Sequence, residues 1–484
     1  MLFNSFQFLV FFIVVTTTYF ALPHKYRWFL LLMSSCYFYM AFVPIYILIL
    51  GFTIVIDYFA GVYLEKTKGK KRKLFLIASL IANIGVLAVF KYYNFLNHNL
   101  TIFLSGFSYQ NPIPFLSILL PIGLSFHTFQ AMSYTIEVYR GKQAAEKNFG
   151  IYALYVMFYP QLVAGPIERP QNLIHQFYEK HSFDYQRVID GLKLMAWGMF
   201  KKIVIADRLS ILVNTIYNDP TKANGVQLII STVFFSFQIY CDFSGYSDIA
   251  IGAAKVMGFK LMTNFNMPYF SKTITEFWTR WHISLSTWFK DYLYIPLGGS
   301  RVSKPRMFFN LIFVFVISGF WHGANYTFLI WGGIHGVVLI IEKLVYGNKR
   351  IKEFRNGYSF SNIFRIFLTY VIVLYAWVFF RAKNVHDAFY IIRNFFNFNL
   401  HDILLITHSR GVENLFGMTT FDFFLSFFFI GLLLLFDFLM QKKGLIGVIN
   451  SLPLIVRWSI YISIFFIILW FGKFGMNQFI YYQF

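Results

Sequence analysis

Charge and sulfur are what this chain has least of. Of its 484 residues only 13% are Asp, Glu, Lys or Arg, and only Cys36 and Cys241 are cysteines. Soluble domains carry about 25% charged residues, so a soluble fold is excluded. Two cysteines in apolar surroundings supply neither a disulfide framework nor the C-x-x-C spacing of a zinc site, and no metal is expected. The chain also lacks G-x-x-x-x-G-K-[ST], a G-x-G-x-x-G following a strand, G-x-S-x-G and H-E-x-x-H, which disfavours an ATP-driven pump, a Rossmann enzyme and a serine hydrolase. With no long low-complexity tract, short-period repeat or Pro/Gly/Ser-rich linker, one integral membrane domain over residues 1–484 is the simplest organisation.

What the chain has in abundance is apolar surface: 58% hydrophobic and 22% aromatic residues, with a mean hydropathy of +0.58. A helix needs about 20 apolar residues to cross a bilayer. Candidate spans lie near residues 3–21, 28–42, 45–64, 74–92, 113–136, 203–217, 227–257, 307–320, 326–342, 362–380, 422–440 and 454–472. The first apolar stretch has no Lys or Arg before it and no small-residue cleavage motif, so it reads as a retained span.

The net charge of +21 does not call for a nucleic-acid partner, because the basic residues cluster in short loops between apolar runs, as the positive-inside rule expects. Residues 66–73 (KTKGKKRK), 140–147, 343–355 and 442–443 are therefore expected to be cytoplasmic, and residues 94–112, with no Lys or Arg, outside. Counting spans from these loops places both termini outside. The long stretch 381–420 also falls outside despite Arg381, Lys383, Arg393 and Arg410, since long loops obey the rule weakly.

Polar and ionisable residues gather between about 155 and 345, where the spans are interrupted. Residues 159–170 (YPQLVAGPIERP) contain three prolines and a glycine, which break a helix. Such backbone is tolerated at membrane depth only where protein or a water-filled cavity satisfies it; an interfacial loop is the other reading. Asp242 and Asp248 sit six positions apart, about 240° around a helix. They do not share a face, and read as structural acceptors for Ser, Tyr or Lys255 rather than as an acid–base pair. Residues 275–291 form an amphipathic segment in which Glu276 with Arg280, and His282 with Ser286, are placed to pair at i,i+4. His322, inside WHG, and His335 are intramembrane imidazoles, costly enough to suggest a function. Taken alone, each is compatible with a core residue, a proton relay or a catalyst. In a continuous helix they would lie about 20 Å apart, but an external turn near Asn325 would break it.

Residues 237–259 (FQIYCDFSGYSDIAIGAAKVMGF), 264–301 (NFNMPYFSKTITEFWTRWHISLSTWFKDYLYIPLGGSR) and 318–336 (SGFWHGANYTFLIWGGIHG) resemble the membrane-bound O-acyltransferase family. They come closest to the bacterial branch that O-acetylates alginate, peptidoglycan and other exported glycans, a branch similar to the teichoic-acid D-alanylation proteins. VAGPIERP (163–170), FRAKNVHDA (380–388) and FIYYQF (479–484) support the match. Cys241 stands where an aromatic residue is expected. The resemblance implies an all-α polytopic fold of about 11 transmembrane helices, with re-entrant and interfacial helices around a central catalytic tunnel. By its motifs His322 matches the catalytic histidine and His282 the second one, which leaves His335 a structural role. Candidate tunnel-lining residues are Asp242, Ser244, Tyr246, Trp281, Trp321 and Asn325.

The implied reaction moves an acetyl group from cytoplasmic acetyl-CoA across the bacterial inner membrane to a hydroxyl. The expected acceptor is an exported polysaccharide or peptidoglycan, reached through an extracytoplasmic partner transferase or acyl-accepting protein. His322 would act as general base; His282 or backbone N–H groups would stabilise the oxyanion. Lys290, Arg301, Lys304 and Arg306 are candidates for the CoA phosphates, although positive-inside charge explains them equally well. Tyr481 or Tyr482 is a candidate transient acyl carrier, against ordinary interfacial anchoring. The rival reading is a non-enzymatic flippase for a lipid-linked glycan, since buried Asp and His also mark transport pathways.

Overall fold

The computed structural model describes residues 1–118, 120–163, 165–353, 359–398, 404, 409–475 and 479–480. The described chain is helical throughout, with no strand among those residues, and groups into two compact units: Met1–Leu192 with Ala250–Met262, and Lys193–Ile249 with Thr263–Phe484. Eight described helices are long and apolar enough to cross a membrane, and Phe6–Ala21 is a shorter apolar one. Their outer faces carry large bare side chains such as Ile455, Trp470 and Phe360, and no residue in the apolar window of Leu454–Phe471 is buried. A surface of this kind is stable in lipid, not in water.

The first unit begins with α1 (Phe6–Ala21), α2 (His24–Met40), α3 (Ile47–Lys66), α4 (Gly69–Leu87) and α5 (Tyr93–Ser105), followed by α6 (Leu124–Tyr139). Asp57 of α3 ties three of them together: Ser79 Oγ donates to it at 2.6 Å and Asn83 Nδ2 at 2.8 Å, while Ser79 also reaches Thr135 of α6 at 3.1 Å. The run expected to span from 113 is instead non-helical over the described residues 113–118 and 120–121. Pro112, Pro114 and Pro121 forbid a helix there, and Asn94 and Asn97 of α5 pair its backbone through Leu116 and Ile113. The 28–42 run is covered by α2, and the 203–217 run begins in a π-helical segment, Phe200–Ala206.

Next come α7 (Phe149–Met157), α8 (Tyr159–Leu162) and α9 (Pro170–Leu173). The chain is broken where the prolines require it, and protein satisfies the break. Tyr155 Oη donates to the Glu168 carbonyl at 3.0 Å and Gln161 Nε2 to the Tyr155 carbonyl at 2.8 Å, while the Glu168 carboxylate accepts from Met262 N.

α10 (Tyr185–Met199) leads through the π-helical Phe200–Ala206 into α11 (Asp207–Asn218) and the 33-residue α12 (Gly225–Met257). In the second unit two short helices, α13 (Ile274–Arg280) and α14 (Ile283–Phe289), precede the pair α15 (Lys304–His322) and α16 (Tyr326–Glu353). Then follow α17 (Phe360–Arg381) and α18 (Val385–Asn394), and finally the apolar helices Thr420–Met440 and Leu454–Phe471. α15 and α16 form a tight hairpin. A Cβ on Gly319 would overlap the Phe328 carbonyl and one on Gly332 the Phe315 carbonyl, so both positions must be glycine for the backbones to approach this closely.

Candidate active site

The α15–α16 hairpin decides what His322 and His335 can do together. The turn at Gly323 and Asn325 folds α16 back along α15, so both imidazoles pack against Trp331, with centroids at 5.2 Å and 5.0 Å. His335 is fully buried and engaged: Trp278 Nε1 donates to its Nδ1 at 3.3 Å, and Phe277 stacks parallel to it. His322 ends α15 in a buried box of Trp321, Trp331 and Phe380, at 4.9, 5.2 and 5.3 Å. Asn325 caps α16 by accepting from Thr327 N at 3.1 Å and donates to the Lys383 carbonyl at 2.9 Å.

His282 also neighbours Trp321, with ring centroids 6.4 Å apart. The amphipathic segment carrying it is two helices, not one, and His282 is the left-handed residue between them. That break removes the expected i,i+4 pairing with Ser286, whose Oγ donates instead to the Trp281 carbonyl at 3.2 Å. The Glu276–Arg280 pair does form, at 2.7 Å. α13 is pinned at its start by Glu342 of α16, which accepts from Ile274 N and, at 2.9 Å, from Thr275 N, a carboxylate where the helix dipole favours one. Phe243 meets the His282 ring edge-on at 4.5 Å, and burial pushes this imidazole well below its ordinary pKa, so it is neutral at physiological pH.

Asp242, Ser244 and Tyr246 of α12 face partners that the sequence reading missed. Lys202 Nζ lies 2.8 Å from Asp207 and 2.6 Å from Asp242, and Lys201 Nζ lies 2.7 Å from Asp248 and 2.8 Å from Ser244 Oγ. The expected Lys255 pairs with Asp190 instead, at 3.9 Å. Lys202 and Asp207 are five positions apart, about 140° off-face in an α-helix but aligned in the π-helical turn that joins them. Asp242 also accepts from Ile480 N at 2.7 Å, and Tyr246 packs on Phe479 at 4.7 Å. Tyr481 and Tyr482 lie outside the described residues. Trp281 packs between Phe265 and Trp377, both at 5.0 Å.

A slot of about 270 Å³ runs beside this cluster, lined by residues that include Trp278, Ser286, Phe315, Ser318, Lys290 and Lys343. Its wall follows α15 from Leu311 to Ser318, one turn and about 6 Å short of His322. Of the four candidate phosphate ligands only Lys290 lines it; Arg301, Lys304 and Arg306 are exposed in the loop and helix start nearby. Lys343, which the sequence reading took for a topological charge, is the second basic group on the wall.

A chain of membrane-spanning helices carrying two buried imidazoles packed near one tryptophan, with a slot whose wall reaches Ser318 one helical turn from His322, is a membrane enzyme in outline. Comparison with known proteins makes the class specific. Residues 147–382 match the membrane-bound O-acyltransferase family. The chain is 38% identical over 406 residues to the probable alginate O-acetylase AlgI of Pseudomonas aeruginosa, covering 82% of this chain and 75% of that protein. To the peptidoglycan O-acetyltransferase of Helicobacter pylori it is 35% identical over 398 residues, covering 76% and 73%. To the teichoic acid D-alanyltransferase of Bacillus subtilis it is 28% identical over 284 residues, covering 55% and 69%. The chain belongs to the membrane-bound O-acyltransferase family and is a multi-pass membrane acyltransferase.

Proposed function

We propose that this acyltransferase takes acetyl groups from cytoplasmic acetyl-CoA and passes them to a hydroxyl on the outer side of the bacterial inner membrane, for O-acetylation of an exported glycan. The observation that carries the reading is the slot ending one helical turn from His322 with Lys290 and Lys343 on its wall. A narrow apolar channel edged by Thr275, Thr279, Ser286 and Ser318 suits a pantetheine arm, and the two ammonium groups suit its phosphates. The positive-inside orientation, with both termini outside, turns the Lys343 end toward the cytoplasm, where the donor is found.

In this reading His322 removes the proton of the attacking hydroxyl as its oxygen bonds to the acetyl carbonyl carbon. The tetrahedral oxyanion then collapses, the C–S bond breaks, and the proton passes to the CoA thiolate. A positioned base contributes about 10²- to 10⁴-fold. The acceptor hydroxyl belongs to the glycan itself or to an extracytoplasmic partner that forwards the acetyl group; the names of the alginate and peptidoglycan relatives favour a glycan as the final destination. Exported glycans from cells with and without the protein test the assignment: acetyl esters should be present in the first and absent from the second. Equal ester content would exclude it.

A further inference from the structure

His282 is held in a backbone conformation that a residue with a side chain rarely adopts. Trp281 is extended, His282 has φ 42° and ψ 54°, and α14 starts at the next residue. A left-handed non-glycine residue costs about 1–2 kcal/mol, so neighbouring groups must impose it. Asn264 does so from both its backbone and its side chain. Its carbonyl oxygen accepts from Ile283 N at 2.9 Å, and its Oδ1 accepts from Ser284 N at 3.3 Å and Ser284 Oγ at 2.9 Å. The same Oδ1 stands 3.1 Å from His282 Nδ1, and Asn264, His282 and Ser284 are all fully buried.

This geometry also fixes where the imidazole proton sits. A backbone N–H only donates, so the Asn264 atom facing Ser284 N is the oxygen, in agreement with its Nδ2 donating to Ser247 Oγ at 3.1 Å. The ring nitrogen facing that oxygen must then bring a hydrogen. A neutral imidazole has only one N–H, so Nε2 carries the lone pair. We propose that Asn264 is the positioning residue that locks His282 as the Nδ1–H tautomer, so that in the acyl transfer His282 accepts a hydrogen bond at Nε2 and does not serve as an oxyanion donor.

The proposal rests on the acyltransferase reading of the site, but its test reads the tautomer independently. Around the ring α12 presents Phe243, α15 presents Trp321, and Phe265 lies alongside. The nearest ionisable groups on its own segment, Glu276 and Arg280, pair with each other, and Asp242 is paired to Lys202.

Protein carrying ¹⁵N-histidine in lipid vesicles, compared by solid-state NMR with the His282→Gln variant, isolates the His282 signals. The expected spectrum has a protonated Nδ1 and an unprotonated Nε2; a protonated Nε2 overturns the proposal. Asn264→Asp keeps the shape and sets a carboxylate against Nδ1–H. In the same spectrum it should keep Nδ1 protonated, with its signal shifted by the charge-assisted hydrogen bond, and an unprotonated Nδ1 contradicts the proposal. Asn264→Leu should cut kcat about 100-fold, the scale of a small misplacement, with KM for acetyl-CoA nearly unchanged; an unchanged kcat contradicts it. If the leucine variant does not fold, the wild-type spectrum and the aspartate variant still decide. Absence of acetyl transfer by the wild type would refute the acyltransferase reading and leave the tautomer result standing.

Discussion

Lys202 offers the sharpest test of how this fold tolerates charge in its core. Its ammonium sits between Asp207 at 2.8 Å and Asp242 at 2.6 Å, with the three side chains 1%, 2% and 4% exposed. At an effective dielectric constant of about 20, two unit charges 2.7 Å apart attract by about 6 kcal/mol. Desolvation offsets this by several kcal/mol per ion, so the intact cluster contributes little net stability. Removing only the cation is different: Lys202→Met strands two buried carboxylates, and the expected loss is about 3–5 kcal/mol, against a total of about 5–15 kcal/mol for a typical domain. Asp207→Asn leaves one cation on one carboxylate and should stay within about 1 kcal/mol of wild type, since the Lys202–Asp242 pair remains intact. The triple variant Lys202→Met, Asp207→Asn, Asp242→Asn removes every charge of the cluster and should recover most of the loss. Thermal unfolding in detergent micelles, followed by tryptophan fluorescence, ranks the four proteins. A Lys202→Met midpoint equal to wild type, or a triple variant no better than the single, would refute the reasoning.

Other consequences are equally concrete. Ser318→Phe fills the slot one turn from His322 and should raise KM for the acyl donor strongly while leaving the unfolding midpoint in place; unchanged donor kinetics would remove the slot from the reaction path. Asn325→Ala deletes a helix cap and should cost about 1 kcal/mol without loss of acyl transfer; loss of activity in a folded variant would make Asn325 part of the chemistry. Burial pushes the Glu168 carboxyl up to about 7. Between its ordinary value near 4.5 and about 7 the unfolded chain ionises while the folded one stays protonated, so stability falls across that window and levels off above it, by up to about 3 kcal/mol. Glu168→Gln should flatten that slope in pH-dependent unfolding, and an unaltered slope would show that Glu168 does not set it.

Much of this molecule is legible in its sequence, and the exceptions share a cause. Apolar runs and basic loops mark a polytopic helical protein, prolines mark the break after Tyr159, and the WHG and RWH motifs single out His322 and His282, which the fold brings near the same Trp321. What stays hidden is pairing over long separations. Nothing local in the sequence links Lys201 and Lys202 to Asp248 and Asp242, yet a π-helical turn faces them toward these carboxylates on α12. Asn264 lies eighteen positions before the histidine it holds, and no local periodicity links the two. Arg301, Lys304 and Arg306 resemble Lys290 in sequence, but only Lys290 reaches the slot. The amphipathic pattern over 275–291 is continuous in sequence, whereas the left-handed turn at His282 divides it, because Asn264 supplies hydrogen bonds that a continuous helix would forgo.

The central claim is that His322 is the base for acyl transfer and His335 is a packing residue. Purified protein in vesicles, given acetyl-CoA and a hydroxyl acceptor, measures it through CoA release. His322→Ala should lower the rate by about 10²- to 10⁴-fold, while His335→Gln, once shown to be folded, should remain within a few-fold of wild type. A folded His322→Ala protein that releases CoA at the wild-type rate would contradict the account.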